Sequence, residues 1–209
     1  MRSGLTLPVI ALTLGTALSC AVPWSGDAPG LRVPEHSPAP EARMRPDASD
    51  WVAAHFNGYH TRLAPFEVEA TARALVEAAS SPGPDLDLML AVIRTESRFD
   101  AFAVSPVGAL GLMQIMPETG REFAERVGVV WRGPETLFDP VANVKIGRAY
   151  LSFLHDRYGS WPRALAAYNW GPGRIERRLA RGRSLPRSYA SRVIATRAAL
   201  EAARQRPEG

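Results

Sequence analysis

Residues 85–119 read DLDLMLAVIRTESRFDAFAVSPVGALGLMQIMPET. Asp85 stands where a helix N-cap is wanted, directly after the breaker Ser80-Ser81-Pro82-Gly83-Pro84. From Leu86 to about Ser97 the apolar residues recur at helical spacing. Met89, Val92, Ile93 and Glu96 fall at i, i+3, i+4 and i+7, which aligns one carboxylate with the apolar stripe. Glu96 also lies at the negative end of the helix dipole. Burial and the dipole both disfavour the anion, so the spacing predicts a carboxyl that holds its proton unusually well. Such a group can protonate a leaving oxygen near neutral pH. The competing reading is a half-exposed glutamate at a helix end, or one paired with Arg94 or Arg98.

The flanking sequence continues in helical patterns. Pro65-Phe66 opens a helix to about Ala79. Pro117 takes the first turn of another, with Glu118 near its start and Gly128 as its end. Asp139-Pro140 is a cap followed by an N1 proline, after which Val144, Gly147, Leu151, Leu154 and Tyr158 share a face. Trp161-Pro162 begins a shorter helix that Gly171-Pro172-Gly173 ends, and two more run near Arg174–Ala180 and Pro186–Arg204. No alternating runs demand strands, although the loop Ala101–Gly111 has room for a minor β element. The expected fold is therefore all-α, with about seven helices in one domain over 51–209 and a core of about 66–195.

Three ordered motifs carry a resemblance. Glu96-Ser97-Arg98-Phe99 followed by residues 103–117 and Thr119 resembles the catalytic segment of the lytic transglycosylase domains of the lysozyme superfamily. Asn143-Val144, Gly147 and Tyr150-Leu151 look like the middle helix of that family, and Ala166–Gly173 looks like its Ala-Tyr-Asn-Ala-Gly-Pro-Gly segment. Trp170 departs from it, standing where the family usually has a small residue.

The resemblance implies a goose-lysozyme-like helical fold. It also implies non-hydrolytic cleavage of the β-1,4 bond between N-acetylmuramic acid and N-acetylglucosamine in peptidoglycan. Glu96 matches the acid/base; Ser105, Gln114, Met116, Tyr168 and Asn169 match positions lining the cleft. Ser105 and Gln114 are expected to bind sugar hydroxyls or an N-acetyl group, Met116 to supply an apolar contact, and Tyr168 to hold the acetamido group or the developing charge. No second carboxylate falls in a matched motif, although Asp100, Glu118, Glu122 and Asp139 lie near. Two rivals remain: a hydrolytic muramidase or chitinase-like enzyme on the same fold, and a non-catalytic glycan-binding scaffold.

The N-terminal segment reads as an address. Arg2 precedes an apolar run from Leu5 to Leu18, too short for a membrane span of roughly 20 residues and suited to a secretion signal. It ends at Ala17-Leu18-Ser19-Cys20, similar to a bacterial lipobox, with ordinary signal-peptidase cleavage as the alternative. Residues 1–20 are thus expected to be a signal peptide and Cys20 a lipidation site. Residues 21–50, with six prolines and no apolar period, are expected to be a tether, or else a pro-segment. The expected location is the periplasm or cell envelope, anchored to the outer membrane.

Composition excludes several chemistries. One cysteine allows no internal disulfide and no multi-cysteine zinc site, and His36, His55, His60 and His155 show no metal-ligand pairing, so no metal or cofactor is expected. Lys145 is the sole lysine, which removes a Walker-type phosphate loop. Residues 174–209 carry ten arginines against three glutamates, leaving the rest of the chain at −3. That surplus suits an acidic partner such as peptidoglycan carboxylates, or a solvated face or anionic membrane; export argues against nucleic acid.

Overall fold

The computed structural model describes residues 47–205. The expected signal segment, Cys20 and most of the expected tether lie outside the described residues. Eight α-helices follow in order among those described: α1 (Ala48–Asn57), α2 (Pro65–Ala79), α3 (Leu86–Glu96), α4 (Pro117–Ala124), α5 (Pro140–Tyr158), α6 (Trp161–Trp170), α7 (Pro172–Ala180) and α8 (Ser188–Gln205). Two 3-10 turns, Glu125–Val127 and Pro134–Phe138, link α4 to α5.

The punctuation acts as the residue types dictate. Asp85 accepts a hydrogen bond from the Leu88 N–H (2.8 Å) and Asp139 accepts from those of Val141 and Ala142, so both cap their helices. Pro65, Pro117, Pro140, Pro162 and Pro172 all sit in first turns, where a missing N–H leaves no bond unmade. The third helix ends at Glu96 itself, and α7 begins at Pro172, two residues before its expected start.

α1 was not anticipated: the helical reading began only at Pro65, and the helix starts inside the expected tether, at Ala48. It buries Val52 and Phe56 against α2 and gathers Trp51, His55 and Tyr59 near Phe99. The β element is minimal. Two isolated bridges, Val104 with Leu110 and Leu110 with Ile115, fold residues 103–116 into a tight double turn.

α3 is the buried centre. Every residue from Leu88 to Ile93 is essentially inaccessible, so this helix is apolar all round, as an interior helix must be. α8 packs along it in the opposite direction. Near the start of α3, Asp87 is buried and accepts from Arg204 through Nε (3.2 Å) and Nη2 (2.6 Å), while Asp85 pairs with Arg197. The acids sit at the positive end of α3 and Arg204 at the negative end of α8, so both helix dipoles reinforce the pairs. These two arginines are therefore not part of any free basic surface.

A buried asparagine ties the double turn down. Asn143 on α5 is fully buried; its amide donates to the Leu110 and Leu137 carbonyls and its oxygen accepts from the Met113 N–H. A Cβ on Gly111 (φ +75°) would collide with the Leu137 carbonyl and with the Asn143 amide, so only glycine permits this approach.

Removing Arg204 strands the buried Asp87 carboxylate. Arg204→Met is expected to lower unfolding stability by about 1–3 kcal/mol. Adding Asp87→Leu should recover much of that loss. Urea denaturation of the two variants checks both statements.

Candidate active site

The chain leaves α3 abruptly after the carboxylate. Arg98 (φ +54°) and Phe99 (φ +67°) are both left-handed, a conformation that costs about 1–3 kcal/mol per non-glycine residue. Burial of the Phe99 ring holds the bend. It packs 4.8 Å from Phe56, 4.5 Å from Tyr59 and 5.4 Å from His55, between ring centres. Asp100 then accepts from the Phe102 N–H and from both arms of Arg62. Glu96 is thus fixed at the end of a rigid helix, immediately before a clamped turn.

Glu96 is largely buried. Its Oε1 accepts a hydrogen bond from the Tyr189 hydroxyl at 2.5 Å. Burial raises its pKa, and that effect outweighs two that favour the anion, the Tyr189 hydrogen bond and the positive charge of Arg192. Arg192 lies one turn beyond Tyr189 on α8, with its guanidinium 6.0 Å from the Tyr189 ring. The second carboxyl oxygen has no hydrogen-bond partner among the described residues.

Tyr168 approaches from α6. Its hydroxyl donates to the Met113 carbonyl (2.7 Å), and its ring lies 5.4 Å from that of Tyr150. Burial first, and the nearby Glu96 charge second, push the Tyr168 pKa well above the usual range. Tyr189 is raised by the same two causes in the same order. Both phenols are therefore neutral beside the carboxyl.

The other expected residues occupy varied positions. The Ser105 hydroxyl accepts from the Ala109 N–H (2.9 Å), closing the first turn of the 103–116 segment. Gln114 (φ +50°) donates its amide hydrogens to the Ala103 and Gly111 carbonyls, both at 3.0 Å, so only its oxygen remains for an outside donor. Met116, 42% exposed, precedes the first turn of α4. Asn169 is exposed at the end of α6, and its side chain makes no hydrogen bond among the described residues. Of these five, Tyr168 lies close enough to Glu96 for the carboxylate charge to act on its hydroxyl.

Tyr189 was missed. Its sequence signal was only its membership of the α8 stripe with Val193 and Leu200, where a tyrosine reads as core. Of the four acids near Glu96 in sequence, three are engaged elsewhere, Asp100 with Arg62, Glu122 with Arg126 and Asp139 as the cap of α5, while Glu118 is exposed in the first turn of α4. Among the described residues no group of His, Cys, Asp and Glu has a metal-binding arrangement.

A helical domain that presents one proton-holding carboxyl between two neutral tyrosines is built for acid–base work on an uncharged oxygen. Comparison with known proteins names the family. Residues 73–190 match the Transglycosylase SLT domain, and the chain belongs to that family. It is 42% identical over 88 residues to the soluble lytic murein transglycosylase of Salmonella typhimurium, covering 41% of this chain and 14% of that protein. It is 32% identical over 166 residues to the membrane-bound lytic murein transglycosylase C of Sodalis glossinidius, covering 63% of this chain and 46% of that protein. The chain thus spans less than half the length of these relatives. Among solved structures, it resembles the 70 kDa soluble lytic transglycosylase of Escherichia coli, with TM-score 0.56 and 27% identity over 72% of this chain and 29% of that one. A complex of a 70 kDa soluble lytic transglycosylase with bulgecin A gives 0.59 and 25%, over 76% and 31%.

Tyr189→Phe removes a bond that favours the Glu96 anion, so the Glu96 pKa should rise further. A step that needs the protonated acid is lost as pH rises through that pKa. The alkaline limb of the pH–rate profile should therefore move to higher pH, while the maximum rate drops roughly tenfold through loss of one charge-assisted hydrogen bond. A lower rate with an unmoved limb would mean that Tyr189 acts only on packing.

Proposed function

We propose that the chain is a peptidoglycan lytic transglycosylase. It cuts the β-1,4 bond between N-acetylmuramic acid and N-acetylglucosamine and leaves a 1,6-anhydromuramic acid end. The observation that carries this reading is the Glu96 carboxyl, whose pKa burial raises while Tyr189 and Arg192 favour the anion. Family membership supports it, as do the names of the relatives.

The sequence of events follows from one carboxyl serving twice. Glu96 gives its proton to the glycosidic oxygen, and the N-acetylglucosamine side leaves as an alcohol. The 2-acetamido oxygen of the muramic acid takes the vacated position at C1, forming a cyclic oxazolinium ion. Glu96, now an anion, removes the proton of the same sugar's 6-hydroxyl. That oxygen closes on C1, the acetamido oxygen departs, and the acid is protonated again. Three of the four acids near Glu96 in sequence fit a one-carboxylate scheme, because Asp100, Glu122 and Asp139 are engaged in the fold; the fourth, Glu118, is exposed on α4.

The neighbours divide the remaining work. With its hydrogen on Met113, the Tyr168 oxygen offers lone pairs to an amide N–H, which suits the acetamido group. Asn169 and the free Gln114 oxygen are available to sugar hydroxyls or an N–H, and the exposed Met116 offers an adaptable apolar contact. Ser105 contributes chiefly by closing the turn that carries these groups, with its hydroxyl hydrogen left over for substrate.

For location, we read residues 1–20 as an export signal and Cys20 as a lipidated residue, followed by a spacer that ends at the folded domain. The chain then works in the periplasm, anchored to the outer membrane. The name of the membrane-bound relatives is consistent with this, and no helix among the described residues is long and apolar enough to cross a membrane.

Product mass in heavy-oxygen water decides the reaction. Muropeptides lighter than hydrolysis products by one water, with no label at C1, are expected. Proximity favours the internal hydroxyl, since effective concentrations reach about 10⁵ M or more against about 55 M for water. Labelled reducing ends would instead mean a muramidase. Glu96→Gln is expected to cut turnover by at least about 10²–10⁴-fold while sacculus binding persists. Residual activity within about threefold of wild type would mean that the proton comes from another group.

A further inference from the structure

The segment from Trp170 to Arg187 carries six arginines and one acid, Glu176. Glu176 is taken by Arg157 of α5, through Nε at 2.9 Å and Nη2 at 2.5 Å. Arg178 donates twice to the Ser184 carbonyl (3.0 and 2.8 Å), folding the loop after α7 back onto the helix. Arg174, Arg177, Arg181, Arg183 and Arg187 are exposed and have no acidic partner among the described residues. A merely solvated helix face would be laced with acids one turn away, and this one is not.

Trp170 sits in the same surface, 36% exposed at the end of α6. The guanidinium carbons of Arg174 and Arg178 each lie 5.5 Å from its ring centre. The ring and the charged heads therefore form one fixed unit, apolar beside cationic. Both ends of the segment are anchored at the candidate active site. It starts two residues after Tyr168 and ends two before Tyr189, and both hydroxyls are coupled to Glu96. The arginines are thus carried by the segment that joins two residues of the candidate site, and we infer that it forms one rim of that site, where their field acts on whatever enters.

We propose that this rim, Trp170 with Arg174, Arg177, Arg181 and Arg183, binds the carboxylates of peptide stems carried by the glycan strand in the cleft. The proposal rests on the peptidoglycan reading above. Guanidinium forks suit carboxylates, and the Trp170 ring offers an apolar shelf to the stem's aliphatic carbons. A membrane surface fits less well. A helix lying in a bilayer interface needs an exposed apolar face, and α7 buries Ile175 under α6, leaving Leu179 as its one exposed large apolar side chain.

The test uses the full chain and two substrates: intact peptidoglycan, and the same material with its carboxylates capped as methylamides. Wild type is expected to show a kcat/KM ratio, intact over capped, of roughly tenfold at low salt, shrinking as salt screens the charges. The variant carrying Arg174→Gln, Arg177→Gln, Arg181→Gln and Arg183→Gln should bring that ratio near one. A wild-type ratio near one overturns the proposal. So does a variant with wild-type circular dichroism that keeps the wild-type ratio; damage alone lowers both rates together and cannot bring the ratio to one. Vesicles containing phosphatidylglycerol supply the third arm. Loss of vesicle binding in the variant with the ratio retained would make the rim a membrane face, and the proposal fails. Co-sedimentation of the Glu96→Gln chain with both substrates gives the ratio without turnover. Wild-type products lacking anhydro ends would therefore sink the transglycosylase reading while the ratio still judges the rim.

Discussion

The antiparallel contact of α3 with α8 governs the rest of the structure. At one end it neutralises the buried Asp87 with Arg204 and the cap Asp85 with Arg197. At the other it sets the Tyr189 hydroxyl on Glu96. The two ends constrain one another through rigid helices. Sliding α8 by one turn, about 5.4 Å, would break the ion pairs and withdraw the tyrosine together. Stability and acid chemistry are therefore written on the same pair of surfaces.

The electrostatics of Glu96 is a compromise between opposed effects. Burial alone would make the carboxyl a poor acid, unwilling to part with its proton. Free exposure would leave it ionised before any substrate arrived. Tyr189 and Arg192 favour the anion just enough to oppose burial without overturning it. Tyr168 belongs to the same neutral enclosure, and its link to the Met113 carbonyl connects that enclosure to the double turn held by Asn143. A displacement of α5 would thus reach Tyr168 through two hydrogen bonds.

The helices were legible because their signals are local. Asp85, Asp139 and the first-turn prolines announce themselves by residue type, and the stripe ending at Glu96 gave the position of the carboxyl before any contact was known. What stayed hidden depends on partners distant in sequence. α1 has no side-chain cap, and it is held mainly by what it covers, including the phenylalanine whose burial holds the left-handed bend. Tyr189 looked like core because its hydroxyl partner lies 93 residues upstream. Gln114 and Ser105 read as sugar ligands, yet much of their hydrogen-bonding capacity closes their own turns. The arginine count of the C-terminal segment was visible, but its division into paired residues on α8 and unpaired ones around α7 required the fold.

The placement of Tyr189 also orders events in time. Contacts of long sequence separation form late, because the closure entropy of the intervening chain must first be offset. Until α8 docks, Glu96 lacks its tyrosine and its arginine. The environment that tunes the acid is therefore complete only once α8 has closed. Under the proposed function, in which the chain cuts peptidoglycan, that dependence makes folding itself a delay on activity.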